Sequence, residues 1–121
     1  MPNINVFRPA DSNEVVAAYS VAIRSRTTPT VICCSRTTVP SLEESSAEKA
    51  CLGAYTITNC SMDPQLLLIG TGSEVALCVE AAKVLTTQHG LAVRVVSMPC
   101  QEIFLQQSME YQNRVLPGNV S

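Results

Sequence analysis

An arginine placed just after an apolar strand either anchors an anionic ligand or closes a salt bridge, and Arg36 stands in that place. The run 30–36, TVICCSR, is mostly branched and apolar until Ser35, then stops on a fixed positive charge. A guanidinium presents forked N–H donors matched to phosphate or carboxylate. Open α/β sheets take their ligands at the carboxyl ends of their strands, and one charge-assisted contact there contributes about 1.5–3 kcal/mol. The competing reading is structural, because Glu43, Glu44 and Glu48 in the following loop each offer a carboxylate to the same arginine. Position alone leaves both open.

Other chemistry-bearing residues read as structural. Cys33 and Cys34 are neighbours on a strand, so their side chains point to opposite faces and cannot grip one ligand together; they are expected as small buried hydrophobes. Arg36 gives Cys34 a possible electropositive neighbour, the setting a reactive thiol needs. The stretch GTGSEV, residues 70–75, begins like a phosphate-cradling turn, but the third glycine of G-x-G-x-x-G is Val75 here. The acidic residue due about 20 positions later is also missing, so a tight strand-to-helix turn is expected. His89 precedes Gly90 at the end of a helical pattern and has no catalytic partner in the sequence. It reads as a capping residue favoured by the helix dipole, and the three loop glutamates read as a solvated face.

The elements that must position these groups follow from periodicity. Residues 3–7, NINVF, alternate and are stopped by Pro9. Asp11 followed by Glu14 is the capping-box arrangement, and Val15, Val16, Tyr19, Ala22 and Ile23 recur at helical spacing. Residues 30–34 form a short apolar run expected to be covered on both faces. These three pieces make a β-α-β unit with parallel strands. Residues 37–64 are loop-like, except that ACLGAYTIT is expected to add a strand closing this first region, and NCSMDP has the turn residues of a linker. A second unit then repeats the plan. QLLLIG is a buried strand, a helix follows with Ser73 as N-cap and Gly90 as stop, LAVRVVSMP is the next strand, and a short helix and loop complete the chain. Two half-domains joined by a linker fit this pattern.

Composition narrows the function classes. Of 121 residues, 46% are hydrophobic and only 15% charged, so part of the surface is suited to being covered by other protein. A net charge of −2 gives no basic footprint for nucleic acid. Tryptophan is absent and aromatics are 4%, which removes stacking platforms for bases. No apolar run approaches the roughly 20 residues of a membrane helix, and the N-terminus lacks a secretory signal, so a soluble cytoplasmic chain is expected. The six cysteines include no C-x-x-C pair, and reduced, mostly buried thiols are expected in that compartment.

The motifs taken in order resemble transketolase of the bacterial, yeast and plant type. The matching pieces are PNINVFRPADSNEVVAAY, SR…VPSLE, SSAEKA…GAY, LLLIGTGSEVALCVEAAKVL, VRVVSMP and QQSMEY…VLP, and they cover nearly the whole chain. The resemblance implies an α/β fold of parallel-sheet β-α-β units from two adjoining domains of a thiamine-diphosphate enzyme, both incomplete. Residues 1–60 correspond to the C-terminal part of the pyrimidine-binding domain, and 61–121 to the N-terminal part of the C-terminal domain. It implies a homodimeric enzyme of the pentose phosphate pathway that moves a two-carbon ketol unit between sugar phosphates, with thiamine diphosphate and Mg or Ca.

Within that family the arginine of the serine-arginine pair contacts the substrate phosphate, a role that transfers to Arg36. The family's diphosphate-and-metal motif, its activating glutamate and its channel histidines belong upstream. This chain therefore carries no expected catalytic, cofactor-binding or metal-binding residue and is expected to be inactive alone. SRTTVP also departs from the asparagine-containing stretch usual after the arginine. Partners implied are the remainder of the enzyme chain, a second subunit and a sugar phosphate. Two other classes compete: a non-catalytic interaction module derived from transketolase, and a small dinucleotide-binding protein built on GTGSEV.

Overall fold

The computed structural model describes residues 3–60 and 63–120. Strand β1 (Asn5–Phe7) lies parallel to β2 (Thr30–Ile32), with Asn5 opposite Thr30 and Phe7 opposite Ile32. Helix α1 (Ser12–Arg24) connects them, so the first β-α-β unit forms as its spacing predicts. Asp11 caps α1 by accepting from the Glu14 N–H at 3.2 Å. The reciprocal half of the capping box is displaced by one residue: Glu14 Oε2 accepts from the Ala10 N–H at 2.7 Å rather than from Asp11. The other Asp11 oxygen accepts from the Leu42 N–H and the Ser45 hydroxyl, which pins the following loop to the helix start.

That loop contains a turn of helix that its polar composition conceals, α2 (Ala47–Ala50), capped by the Ser46 hydroxyl. Strand β3 (Tyr55–Thr58) then departs from expectation. It does not join the first sheet but pairs antiparallel with β5 (Val93–Ser97), with an irregularity between Thr56 and Thr58. On the other side of β5 lies β4 (Leu66–Gly70), parallel and in continuous register from Leu66–Val93 to Gly70–Ser97. The strand order β3-β5-β4 makes β5 central, and its burial shows this, since Val93, Val95, Val96 and Ser97 are all buried.

Helix α3 (Glu74–His89) crosses from β4 to β5, starting after Ser73 and stopping at Gly90. Ser73 holds the N-cap position without a side-chain hydrogen bond to the helix backbone. The end of the chain holds two short helices rather than one, α4 (Gln101–Phe104) and α5 (Met109–Val115). Part of the expected linker, residues 61 and 62, lies outside the described residues.

Two burial expectations are corrected. Strand β2 is an edge of a two-stranded sheet, so Val31 is 44% exposed instead of covered on both faces. Strand β4 is also an edge, which leaves Leu66, Leu67 and Leu68 half-buried and Ile69 half exposed. The principal core joins Ala10 and Ala17 around α1 to Tyr55, Ile57, Val75, Ala82, Val93 and Val95 of the second sheet. Burying apolar side chains of this kind contributes about 1.5–3 kcal/mol for each large one.

Candidate functional site

Arg36 lies four residues beyond the end of β2, on an exposed loop. The Cys33 N–H still bonds to the Phe7 carbonyl at 2.8 Å, so the ladder runs one residue past the strand before the chain leaves the sheet. Ser35 then forms a local turn, its Oγ accepting from the Thr37 N–H at 3.1 Å and lying 2.8 Å from Thr37 Oγ1. Arg36 is held by this backbone rather than by a partner. Among the described residues it makes no ion pair, and Glu43, Glu44 and Glu48 are all exposed. The salt-bridge reading of Arg36 therefore fails, and its charge faces solvent. The cavity of ≈ 530 Å³ beside the C-terminal half of α3 and the smaller one of ≈ 310 Å³ beside Arg8 are both lined by other residues. A closed pocket around Arg36 is not built by residues 3–60 and 63–120 alone.

The thiols beside it are not the buried filler expected. Cys33 and Cys34 are both exposed, because an edge strand with nothing laid over it cannot cover the residues that continue it. Of the six cysteines only Cys100 is buried, and Cys51, Cys60 and Cys78 are half-buried. Burial, above all, pushes the Cys100 thiol up to about 11, and its hydrogen bond to Glu102 adds to that.

The GTGSEV turn is structural in its geometry. A Cβ on Gly70 would come within 2.9 Å of Val75 Cα, so the glycine lets β4 and α3 approach closely. The Gly72 N–H is already taken by the Arg8 carbonyl at 2.9 Å. Arg8 Nη2 and Glu74 Oε2 are 3.3 Å apart across the same turn. His89 is exposed in the last turn of α3.

The most organised polar group was legible only as a helix cap. Glu14 is fully buried, and its Oε1 accepts from Tyr55 Oη at 2.9 Å and from Ser97 Oγ at 2.5 Å. Its carboxyl is pushed up mainly by desolvation, against the pull of the hydrogen bonds from Ser97, Ala10 and Tyr55. Tyr55 is raised as well, by burial first and then by the Glu14 charge. Glu14, Tyr55 and Ser97 line neither the cavity beside α3 nor the one beside Arg8, and the cluster joins α1 to β3 and β5. The only sequence signal for it was the acid at the fourth position of the cap.

A diphosphate-bound divalent cation needs several clustered oxygen donors. Among the described residues no three His, Cys, Asp or Glu side chains are grouped to hold a metal ion. The described residues therefore offer no ligand cluster for the cation of such a cofactor.

A model of the transketolase-like C-terminal domain matches residues 53–121. The chain is similar to transketolase 1 of Saccharomyces cerevisiae, 48% identical over 120 residues, covering 99% of this chain and 17% of the yeast protein. Among solved structures, transketolase from Leishmania mexicana superposes with a TM-score of 0.94 at 47% identity, over 99% of this chain and 18% of that one. Pichia stipitis transketolase in complex with sedoheptulose-7-phosphate gives 0.92 at 48% identity, over 98% of this chain and 17% of that one. The chain thus spans under one fifth of its relatives' length, with the fold of the corresponding part of a thiamine-diphosphate enzyme. A domain match over more than half of the residues, and a likeness running along almost all of them, place this chain in the transketolase family.

Proposed function

We propose that this chain is a working part of a transketolase and that Arg36 anchors the phosphate of the sugar substrate. The observation that carries the reading is an exposed guanidinium without a carboxylate partner, just beyond the carboxyl end of β2. It is supported by the likeness over 98% of the chain to a transketolase in complex with a sugar phosphate. In this reading the complete protein transfers a two-carbon ketol unit between sugar phosphates. Thiamine diphosphate, with Mg or Ca, supplies the carbon–carbon chemistry, and the residues that hold it belong to the rest of the enzyme. What this segment does is electrostatic and positional: Arg36 fixes the anionic end of the sugar while the reacting end is handled elsewhere. The chain alone is inactive.

The domain division belongs to the same proposal. Residues up to the loop before Gly53 act with the pyrimidine-binding domain, and the remainder with the C-terminal domain. The pairing of β3 with β5 and the domain match from residue 53 support moving the boundary from about residue 60 to just before β3. A cytoplasmic homodimer is part of the proposal, and no described helix is long and apolar enough to cross a membrane.

The test is Arg36→Ala and Arg36→Lys in the complete enzyme. The sugar-phosphate KM should rise at least tenfold with alanine, the equivalent of about 1.4 kcal/mol, and less with lysine. An unchanged KM in the alanine variant overturns the anchor.

A second reading, a non-catalytic interaction module, is favoured by one observation. Val16, Tyr19 and Ile23 form an exposed apolar stripe on α1, with exposures of 57%, 58% and 76%, and such surfaces mark association sites. Light scattering on the isolated chain separates the two. A monomer that ignores a complete transketolase subunit removes the module.

A further inference from the structure

The carboxyl ends of β1, β4 and β5 converge on a crevice of ≈ 310 Å³, at the low end of the range for small-molecule sites. It lies where the two sheets meet, the position at which open α/β sheets take ligands. Its walls are rigid, because three chain segments are interlocked by backbone hydrogen bonds. The Arg8 N–H donates to the Pro99 carbonyl at 2.8 Å, the Gly72 N–H donates to the Arg8 carbonyl at 2.9 Å, and the Met98 N–H donates to the Gly70 carbonyl at 2.9 Å.

The lining carries one cation and one anion that are not paired with each other. Arg8 makes an ion pair with Glu74 in which both side chains are about half exposed, so the guanidinium keeps other N–H donors and the pair is weakly held. Glu102 uses Oε2 to accept from the Val6 N–H at 3.3 Å and from the Cys100 thiol at 3.4 Å. Its carboxylate also takes a hydrogen bond from its own backbone N–H. Val6, Ile69, Met98 and Pro99 supply the apolar part of the lining.

This combination selects a ligand class. A phosphate or other pure anion meets two carboxylates, Glu74 and Glu102, against one guanidinium. A simple amine leaves Arg8 unused. A small zwitterion with an apolar side chain satisfies all three kinds of surface. We propose that this crevice is a second binding site, for a free α-amino acid with an apolar side chain, whose carboxylate pairs with Arg8 and whose ammonium pairs with Glu102. The site is independent of the role assigned to Arg36.

Calorimetric titration of the 121-residue chain with L-leucine tests it. One saturable site is expected, weakened at least tenfold by Arg8→Gln and by Glu102→Gln. The second variant keeps an amide oxygen for the Val6 N–H, and circular dichroism checks that both variants are folded. The wild-type chain provides a test that needs no variant: L-leucinamide lacks the carboxylate and N-acetyl-L-leucine lacks the ammonium, and each should bind at least tenfold more weakly. Absence of saturable heat with L-leucine up to about 10 mM, a level that detects even very weak sites, overturns the proposal. So does equal binding of either blocked analogue or of inorganic phosphate.

Discussion

The hydroxyl of Tyr55 donates to Oε1 of Glu14 across 2.9 Å, tying a β-strand of the second sheet to the helix that connects the first. Ser97 from the central strand β5 donates to the same oxygen at 2.5 Å, and the Ala10 N–H donates to the other at 2.7 Å. A buried carboxylate is tolerated only where donors replace its water, and here three donors from separate segments do so. The two sheets are therefore registered against each other by one acid.

Removing that acid should be costly. Glu14→Ala strands the Tyr55 and Ser97 hydroxyls in the core, and each buried orphan costs about 1–3 kcal/mol. Tyr55→Phe removes one donor and should lose about 1.5–3 kcal/mol, the usual value of a bond to a charged group. Urea unfolding measures both, and a Tyr55→Phe change below about 0.5 kcal/mol would show the bond to be unimportant.

The same group sets a pH dependence. Burial raises the Glu14 carboxyl above its ordinary 4.5, so the folded chain binds this proton more tightly than the unfolded chain. The resulting stabilisation is full below the unfolded value and is lost as pH rises through the folded one. Relative to Glu14→Gln, the wild type should lose stability as pH climbs from 4.5 through that raised value. A difference that stays flat or grows with pH contradicts the assignment.

Glu102 should behave oppositely. Desolvation works against its charge, but hydrogen bonds from its own backbone N–H, the Cys100 thiol and the Val6 N–H outweigh this and lower its pKa. Its contribution is present above the ordinary carboxyl value and lost as pH falls through the lowered one. Stability curves of the wild type and Glu102→Gln should therefore converge on acidification.

Thiol labelling separates the cysteines by position. A maleimide should modify Cys33 and Cys34 quickly in the folded chain, since both are exposed. Cys100 should resist until the chain unfolds, being buried and pushed up to about 11. Peptide mapping reads the order, and early labelling of Cys100 would mean that the Gly53–Phe104 region opens readily.

Gly53 is the residue least able to accept a side chain. A Cβ there would overlap the backbone nitrogen of Phe104 and the carbonyl oxygen of Cys100, and its φ is +88°. Gly53→Ala should cost about 2–5 kcal/mol from strain and overpacking together. A melting temperature within a degree or two of wild type would refute the contact.

What was legible in the sequence is what short-range physics controls. The cap at Asp11, the helical spacing through Ile23, the stop at Gly90 and the apolar strands each report on neighbours a few residues away, and α1, α3, β1, β2, β4 and β5 all appear. Arg36 was singled out by its place after a strand; it lies exposed and makes no ion pair among the described residues, and its ligand role is a proposal. Pairing and burial were decided only by the tertiary structure. Tyr55–Thr58 has the same alternation whichever sheet it joins, and only the partner across the gap, β5, settles the choice. Val31, Ile69, Cys33 and Cys34 have the composition of buried residues yet lie on or beside strand edges that nothing described here covers. Glu14 shows the converse: a charged side chain, exposed by any composition rule, lies at the centre of the molecule because donors from residues 10, 55 and 97 converge on it. Convergence of distant residues is a property of the folded chain and leaves no periodic trace in the sequence.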